Sequence, residues 1–236
     1  MASTNLKRLM LILSGAIETD NLSSIPRLTV HEENPMLTLV AFNLTDVIVQ
    51  NQSASNLTRF IFVRHPFERL VSAYRDKLAG DNLFYQKTFG REIIQKYRQN
   101  PSGFSLENGH DVTFPEFVRF IVDQWKDGRK MLDVHWRPIV DLCLPCAMRY
   151  DFIGKFETLN RDVEYLLQKI NRDDLNRLFT LSNEENSNKT STLSLWKQYM
   201  NQLSHQQLSQ LNGMYGDDFK IFGYPPYLGE EENEHK

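Results

Sequence analysis

The fold of this chain is decided by one stretch, Phe60-Ile61-Phe62-Val63-Arg64-His65-Pro66-Phe67-Glu68-Arg69-Leu70-Val71-Ser72-Ala73-Tyr74-Arg75-Asp76-Lys77. Its first four residues are all apolar, which is typical of a short strand covered on both faces. Pro66 suits the first turn of a helix, and the apolar residues that follow it recur at helical spacing. The stretch therefore predicts a buried strand, a polar turn and a helix.

The turn between this strand and this helix is a candidate anion site. Arg64 lies where the strand ends, so its guanidinium is placed beside the first amides of the helix, an arrangement that suits phosphate. Ser72 offers a second donor if the helix folds back across the strand. Alternatively, Arg64 pairs with Glu68 or with an acid elsewhere, and Ser72 is a small packing residue. The residue types alone leave both interpretations open.

Working outward, Tyr150-Asp151-Phe152-Ile153-Gly154 predicts a second buried strand. Apolar periodicity predicts further helices over about 89–99, 114–126, 158–170 and 193–213. Repetition of strand, turn and helix predicts an α/β domain with a mainly parallel sheet, which binds its ligands at the carboxyl ends of the strands. We expect one domain over residues 1–228, with a loop at Ser182–Thr192 and a disordered acidic tail at 229–236.

Composition limits the classes of partner and site. The 236 residues carry 27 basic and 30 acidic side chains, a formal charge of −3, so no global basic field is present and no nucleic-acid partner is expected. The two cysteines, Cys143 and Cys146, exclude a disulfide scaffold and a four-cysteine zinc site. Their C-x-x-C spacing favours a local disulfide over a redox pair, because no strand–helix context for a redox motif surrounds them.

The amino-terminal residues predict another helix. Ser3 and Thr4 suit a cap, and Leu6, Leu9 and Leu13 fall on one helical face. Free amides at a helix start, together with two hydroxyls, also make an anion cradle. A serine and threonine before a helix are more often only a cap.

The string from Val63 to Lys77, VRHPFERLVSAYRDK, resembles the 3′-phosphate-binding segment of the Golgi carbohydrate sulfotransferases. The resembling branch includes chondroitin and dermatan 4-O-sulfotransferases and glucuronyl 3-O-sulfotransferases. The similarity extends through Met131–Trp136, Leu142–Cys146, Tyr150–Glu157 and Tyr215–Tyr224, which is nearly the whole chain.

The resemblance implies the fold and the co-substrate. It implies a P-loop-like three-layer domain that moves a sulfuryl group from 3′-phosphoadenosine 5′-phosphosulfate (PAPS) to a glycan hydroxyl without a metal. By the same match, Arg64 and Ser72 hold the 3′-phosphate of the donor. Ser3, Thr4 and Asn5 match the second half of the family loop that surrounds the 5′-phosphosulfate.

One departure from the family pattern concerns that loop. Met1 stands where the family has the residue after the loop lysine, so the resemblance implies that the first strand and the lysine are missing from this chain. Such a lysine neutralises charge on the leaving phosphate, an electrostatic contribution worth about several kcal/mol. We therefore expect an incomplete form of a longer enzyme, or a form impaired in transfer.

The acceptor hydroxyl needs a general base, and two histidines are candidates. His31 lies between the two donor-binding segments, as the base does in related sulfotransferases. His135 lies in a stretch that matches the family and could take the proton or orient the acceptor. Glu32 and Glu33 are weaker alternatives.

The resemblance also implies a partner and a location. The partner is a glycosaminoglycan-like glycan acceptor, and the full-length form is expected to be a single-pass type II Golgi membrane protein with its domain in the lumen. Candidate cations for a groove that holds an acidic sugar chain are Arg69, Arg75, Lys77, Arg91, Arg129, Lys130 and Arg137. Two rivals stay open: a P-loop kinase, disfavoured because no G-x-x-x-x-G-K-[ST] occurs, and a non-catalytic glycan- or nucleotide-binding relative.

Overall fold

The computed structural model describes residues 2–31, 58–128, 132–187 and 192–229. Two strands are present in this part of the chain, β1 (Phe60–Val63) and β2 (Phe152–Lys155). The helices before β2 are α1 (Ala2–Leu13), α2 (Arg27–His31), α3 (Pro66–Lys77), α4 (Leu83–Tyr85), α5 (Arg91–Tyr97), α6 (Gly103–Asn108), α7 (Phe114–Asp127), α8 (Ile139–Cys143) and α9 (Pro145–Met148). Those after it are α10 (Leu159–Lys169), α11 (Asn176–Ser187), α12 (Thr192–Met200), α13 (His205–Met214) and α14 (Gly216–Ile221).

The protein is a mixed α/β structure, mostly helical, with a small parallel sheet. Strands β1 and β2 pair in parallel, with Phe60 opposite Phe152 and Val63 opposite Lys155. Gly154 lies opposite Phe62, and a Cβ at Gly154 would collide with the Phe62 ring. Each strand is followed by helical structure, as the sequence predicts for a parallel arrangement.

Burial of the strands differs from the prediction. Of the four residues of β1 only Val63 is buried, and Ile153 of β2 is exposed. Within the described ranges each strand pairs only with the other, so each has one open edge and incomplete cover. The expectation of strands covered on both faces is therefore wrong for this part of the chain.

One helix prediction and one loop prediction also need correction. The predicted helix over 193–213 is two helices, α12 and α13, because Ser204 caps the second one: its side chain accepts from the amide of Gln207, whose side chain accepts from the amide of Ser204. The predicted polar loop at Ser182–Thr192 is helical as far as Ser187. Except for Gly229, the predicted acidic tail lies outside the described residues.

The chain folds into two compact units. The first unit comprises Met1–Val63 and Pro145–Thr190, and the second comprises Arg64–Leu144 and Ser191–Lys236, as far as these segments are described. In the first unit Leu9 of α1 packs with Leu22, Val163 and Phe179. The two units have separate cores, and the single domain over residues 1–228 stays a prediction.

The core of the second unit is rich in aromatic residues. Phe67 and Tyr74 of α3 are buried, as are Phe117 of α7 and Trp136. Their rings make edge and stacked contacts with one another, such as Phe117 against Trp136 at 5.4 Å between centroids. This core fixes α3, which carries the residues that the sequence singles out.

Candidate active site

The first candidate cluster, Arg64, Glu68 and Ser72, belongs to the second unit. The Nε of Arg64 donates to Oε2 of Glu68 at 2.9 Å, four residues along the chain. Both side chains are shielded from water, with 15% of Arg64 and 4% of Glu68 exposed. The pairing of Arg64 with Glu68, which the sequence left open as an alternative, is present.

This ion pair is compatible with anion binding by Arg64. A guanidinium carries five N–H donors in a planar fork, and the bond to Glu68 fixes the orientation of that fork. Ser72 lies four residues after Glu68 on the same helix face, is half-buried, and its hydroxyl bonds no other group in the described part of the chain. Arg64 lies four residues before Glu68 and Ser72 four residues after it, and both carry donors of the kind that a phosphate group accepts.

The start of α3 follows from its local sequence. His65 is the N-cap, and its Nδ1 accepts a hydrogen bond from the amide of Phe67 at 3.3 Å. Pro66 occupies the first turn, where its missing N–H costs nothing. The imidazole of His65 also stacks on Trp196 at 4.7 Å between centroids, which anchors the turn to the aromatic core.

The residues that match the phosphosulfate loop lie in the first unit, in the first turn of α1. Thr4 and Asn5 are buried, and the side chain of Ser3 lies outside the described atoms. Asn5 donates from Nδ2 to the carbonyl of Ser182 at 3.3 Å and accepts at Oδ1 from Arg8 at 3.1 Å. Asn5 therefore fastens α1 to α11, and phosphosulfate binding by Ser3, Thr4 and Asn5 stays a prediction.

His135 lies in the second unit within a polar group that includes Asp133 and Tyr85. Its Nδ1 is 2.7 Å from Oδ1 of Asp133 and 3.0 Å from the hydroxyl of Tyr85. The backbone amide of His135 also donates to Oδ1 of Asp133 at 2.9 Å. Because a carboxylate only accepts hydrogen bonds, the contact with Asp133 puts a proton on Nδ1, so that Nε2 carries the lone pair in the neutral imidazole.

Tyr85 completes this group. Its hydroxyl donates to Oδ2 of Asp133 at 3.2 Å. Burial and the neighbouring Asp133 raise the pKa of Tyr85 to about 12, so the phenol keeps its proton at neutral pH. Neither Asp133 nor Tyr85 is predicted from the sequence as a partner of His135, although the Asp-x-His spacing is a local signal for Asp133.

His31 is the last residue of α2, and its side chain, like Glu32 and Glu33, lies outside what the structure describes. Its role as a base therefore stays a prediction.

Several cations predicted for a sugar-binding groove instead bind backbone carbonyls. Arg69 donates to the carbonyls of Val134 and Arg137, and Arg91 donates to that of Leu106. Arg137 donates to the carbonyl of Leu132. The predicted Arg129 and Lys130 lie outside the described residues.

Three further findings concern other kinds of site. Neither Cys143 nor Cys146 forms a disulfide, contrary to the expected local bridge; Cys143 ends α8, and Leu144 turns the chain at a left-handed φ of 46° before α9 begins. Within the described ranges, no three histidine, cysteine, aspartate or glutamate side chains are grouped to hold a metal ion. None of the helices described is both long and apolar enough to cross a membrane.

The chain is similar in sequence to several carbohydrate sulfotransferases. The chain is 33% identical over 226 residues to human carbohydrate sulfotransferase 9, covering 95% of this chain and 49% of that protein. It is 36% identical over 231 residues to zebrafish (Danio rerio) carbohydrate sulfotransferase 11, covering 97% and 64% respectively. It is 35% identical over 222 residues to mouse carbohydrate sulfotransferase 8, covering 94% and 51%. No solved structure matches the chain.

The chain thus spans between about half and two thirds of these relatives, at 49%, 64% and 51% of their lengths. A model of the sulfotransferase family matches residues 1–225, a range that includes the first unit, the second unit as far as residue 225, and the cluster around Arg64. The chain therefore belongs to the sulfotransferase family.

Proposed function

We propose that the protein transfers a sulfuryl group from PAPS to a hydroxyl of a carbohydrate. The observation that carries this proposal is the family match over residues 1–225, a range that contains Arg64, Glu68 and Ser72, with Arg64 bonded to Glu68. The relatives are named carbohydrate sulfotransferases, which supports a glycan acceptor.

Arg64 and Ser72 hold the 3′-phosphate of the donor in this proposal. The charged fork of Arg64, oriented by Glu68, makes the stronger contact, because hydrogen bonds to an ionised group are roughly twice as strong as neutral ones. Thr4, Asn5 and the amides of the first turn of α1, with Ser3, hold the 5′-phosphosulfate. PAPS, when bound, supplies the sulfuryl group.

His135 removes the proton from the acceptor hydroxyl. Asp133 holds the proton of the imidazole on Nδ1, so Nε2 is the atom that accepts the proton of the hydroxyl. Exposure supports this role: 38% of the His135 side chain is open, whereas 18% of Asp133 is. His31 is the alternative base.

The finer features of fold and location belong to the same proposal. The three-layer P-loop-like arrangement is supported by the parallel pairing of β1 with β2 and by the helical structure after each strand. Residence of the full-length protein in the Golgi membrane, with this domain in the lumen and glycosaminoglycan-like chains as acceptors, rests on the resemblance to that family.

The test of the donor site is calorimetry with 3′-phosphoadenosine 5′-phosphate. Replacing Arg64 by alanine should weaken binding by about 2 kcal/mol or more, as expected for loss of a charged hydrogen bond. Arg172→Ala is the matched control, because Arg172 also pairs with a carboxylate, that of Asp174, but lies exposed in the first unit. Equal affinity of the folded Arg64 variant and the unaltered protein would refute the assignment.

Transfer itself is tested with labelled PAPS and desulfated chondroitin, dermatan and glucuronyl acceptors. Transfer of the label to any of these acceptors supports the proposed sulfotransferase activity. Nucleotide binding without turnover on any acceptor favours the rival, a non-catalytic nucleotide-binding relative.

A further inference from the structure

Arg69 joins α3 to the segment that carries His135. One terminal nitrogen of its guanidinium donates to the carbonyl of Arg137 at 2.7 Å, and the other donates to the carbonyl of Val134 at 2.6 Å. These two carbonyls bracket His135 and Trp136 in the chain. The planar fork of arginine can bond both at once, which a single ammonium cannot do with the same geometry.

Two buried side chains from the carboxyl-terminal helices hold the same segment. The hydroxyl of Tyr215 donates to the carbonyl of Trp136 at 2.6 Å. The carboxylate of Asp218 accepts from the amides of Ile139 and Val140, both at 2.8 Å. Tyr215 and Asp218 are each 1% exposed, so water does not compete for these bonds.

Burial and the neighbouring groups shift the pKa of Arg69 in opposite directions. Burial lowers the pKa of Arg69, while Tyr215, Asp218 and Asp133 act in the opposite direction. Burial also raises the pKa of Tyr215, which keeps the phenol protonated as a donor. A charge placed among backbone carbonyls and one buried carboxylate is costly to move, because any displacement leaves polar groups unpaired.

An arginine that donates to a backbone carbonyl is often only a structural support, as is the half-buried Arg98 in this unit, which donates to the carbonyl of Asp111. Arg98 bonds Glu116 and Asp111, which flank the start of α7 and lie apart in sequence from the candidate site. Arg69 differs because both of its acceptors flank His135, and because its own helix carries Ser72 and begins beside Arg64. Its fork therefore connects the proposed 3′-phosphate residues to the proposed base.

We propose that Arg69 is a positioning residue for sulfuryl transfer, whose bidentate bonds to the carbonyls of Val134 and Arg137 set the position of the His135 imidazole. The inference rests on the proposed function with His135 as the base. Lysine at position 69 keeps the charge and loses the fork, so Arg69→Lys isolates the geometric contribution. Misplacing a reacting group by about 1 Å can lower a rate by about 10²-fold.

The experiment compares Arg69→Lys, Tyr215→Phe and the control Arg98→Lys in the full 236-residue chain. Three quantities are measured for each: kcat with labelled PAPS, affinity for 3′-phosphoadenosine 5′-phosphate, and the ¹⁵N signals of the His135 ring, assigned by their loss in His135→Gln. Arg69→Lys should lower kcat by about 10-fold or more, shift the ring signals, and leave nucleotide affinity within about 2-fold. Tyr215→Phe should also lower kcat and shift the ring signals, but by smaller amounts than Arg69→Lys, since it removes one neutral hydrogen bond.

The control separates positioning from general loss of stability. Arg98→Lys should lower the melting temperature while leaving kcat and the His135 signals unchanged. Unchanged ring signals in Arg69→Lys would overturn the proposal, and so would shifted signals with an unchanged kcat. The ring signals and the nucleotide affinity need no turnover, so failure of the proposed function shows as an unaltered protein that neither binds the nucleotide nor transfers a sulfuryl group, whereas failure of this inference shows as an unmoved imidazole.

Discussion

At the residue scale, the contact between Asp133 and His135 orients the imidazole of the proposed base. The 2.7 Å approach of Nδ1 to a carboxylate fixes the tautomer, and the hydroxyl of Tyr85 holds the other carboxylate oxygen. In the same way, the bond to Glu68 gives the guanidinium of Arg64 one orientation. Both candidate groups owe their chemistry to a carboxylate beside them.

This arrangement predicts how the base behaves on substitution. His135→Ala should lower kcat roughly 10²–10⁴-fold and leave nucleotide affinity nearly unchanged, because a general base contributes in the transition state. Asp133→Asn should lower kcat as well, since a neutral amide accepts from Nδ1 more weakly than a carboxylate and its NH2 group can donate to Nδ1 instead. The same kinetic assay on His31→Ala decides between the two histidines. If both histidine variants retain full turnover, neither is the base, and Glu32 and Glu33 are tested next.

At the element scale, the helices around Gly109 show how a backbone approach sets a packing contact. Gly109 ends α6 at a φ of 67°, in the left-handed region that favours glycine. A Cβ at this position would meet the backbone of Gln86 and of Gly90, in the π-helical segment Gln86–Gly90 between α4 and α5. The backbones at Gly90 and Gly109 come this close only because neither residue has a side chain.

Alanine substitutions at three glycines separate strain from collision. Gly128→Ala, at a φ of 64° with nothing nearby, should cost about 1 kcal/mol of unfolding free energy from backbone strain alone. Gly109→Ala should cost clearly more, because it adds the collision with backbone atoms. Gly103→Ala, in α6 with open space around it, should be neutral or slightly stabilising. Urea unfolding of the three variants measures this order, and equal costs at Gly109 and Gly128 would contradict it.

At the scale of the whole molecule, buried phenols couple folding to alkaline pH. Burial raises the pKa of both Tyr74 and Tyr85 to about 12, from an ordinary value of 10.0. Burial also raises the pKa of Tyr97 and Tyr215. Between pH 10.0 and about pH 12, the folded chain keeps phenol protons that the unfolded chain releases. The unfolded state therefore binds fewer protons, and the free energy of unfolding falls as the pH rises.

The unfolding free energy should therefore decline between about pH 10 and pH 12, as measured by urea unfolding at fixed ionic strength. Tyr74→Phe removes one of these phenols, together with its hydrogen bond to the carbonyl of Val112, and should make the decline shallower. A decline of the same steepness in the variant would show that Tyr74 does not contribute to it.

The sequence by itself determined the elements on which the site is built. The apolar run Phe60–Val63, the proline at position 66 and the periodicity after it fixed the strand and the helix α3, because local patterning and backbone chemistry are encoded in consecutive residues. The same stretch predicts Arg64 and Ser72 as candidate site residues. Its resemblance to sulfotransferases agrees with the family match over residues 1–225. Cys143 and Cys146 show the limit of such patterns: their spacing favoured a bridge that the structure does not contain.

Only the tertiary structure decided which partners surround those residues. Tyr85 and Asp133 are 48 residues apart, Arg69 and Arg137 are 68 apart, and Tyr215 and Trp136 are 79 apart. Hydrogen bonds over such separations depend on how the aromatic core packs α3, α7 and the carboxyl-terminal helices, and no local pattern encodes that packing. The prediction that β1 and β2 are buried on both faces is wrong for the same reason, because the burial of a strand depends on neighbours that are distant in sequence.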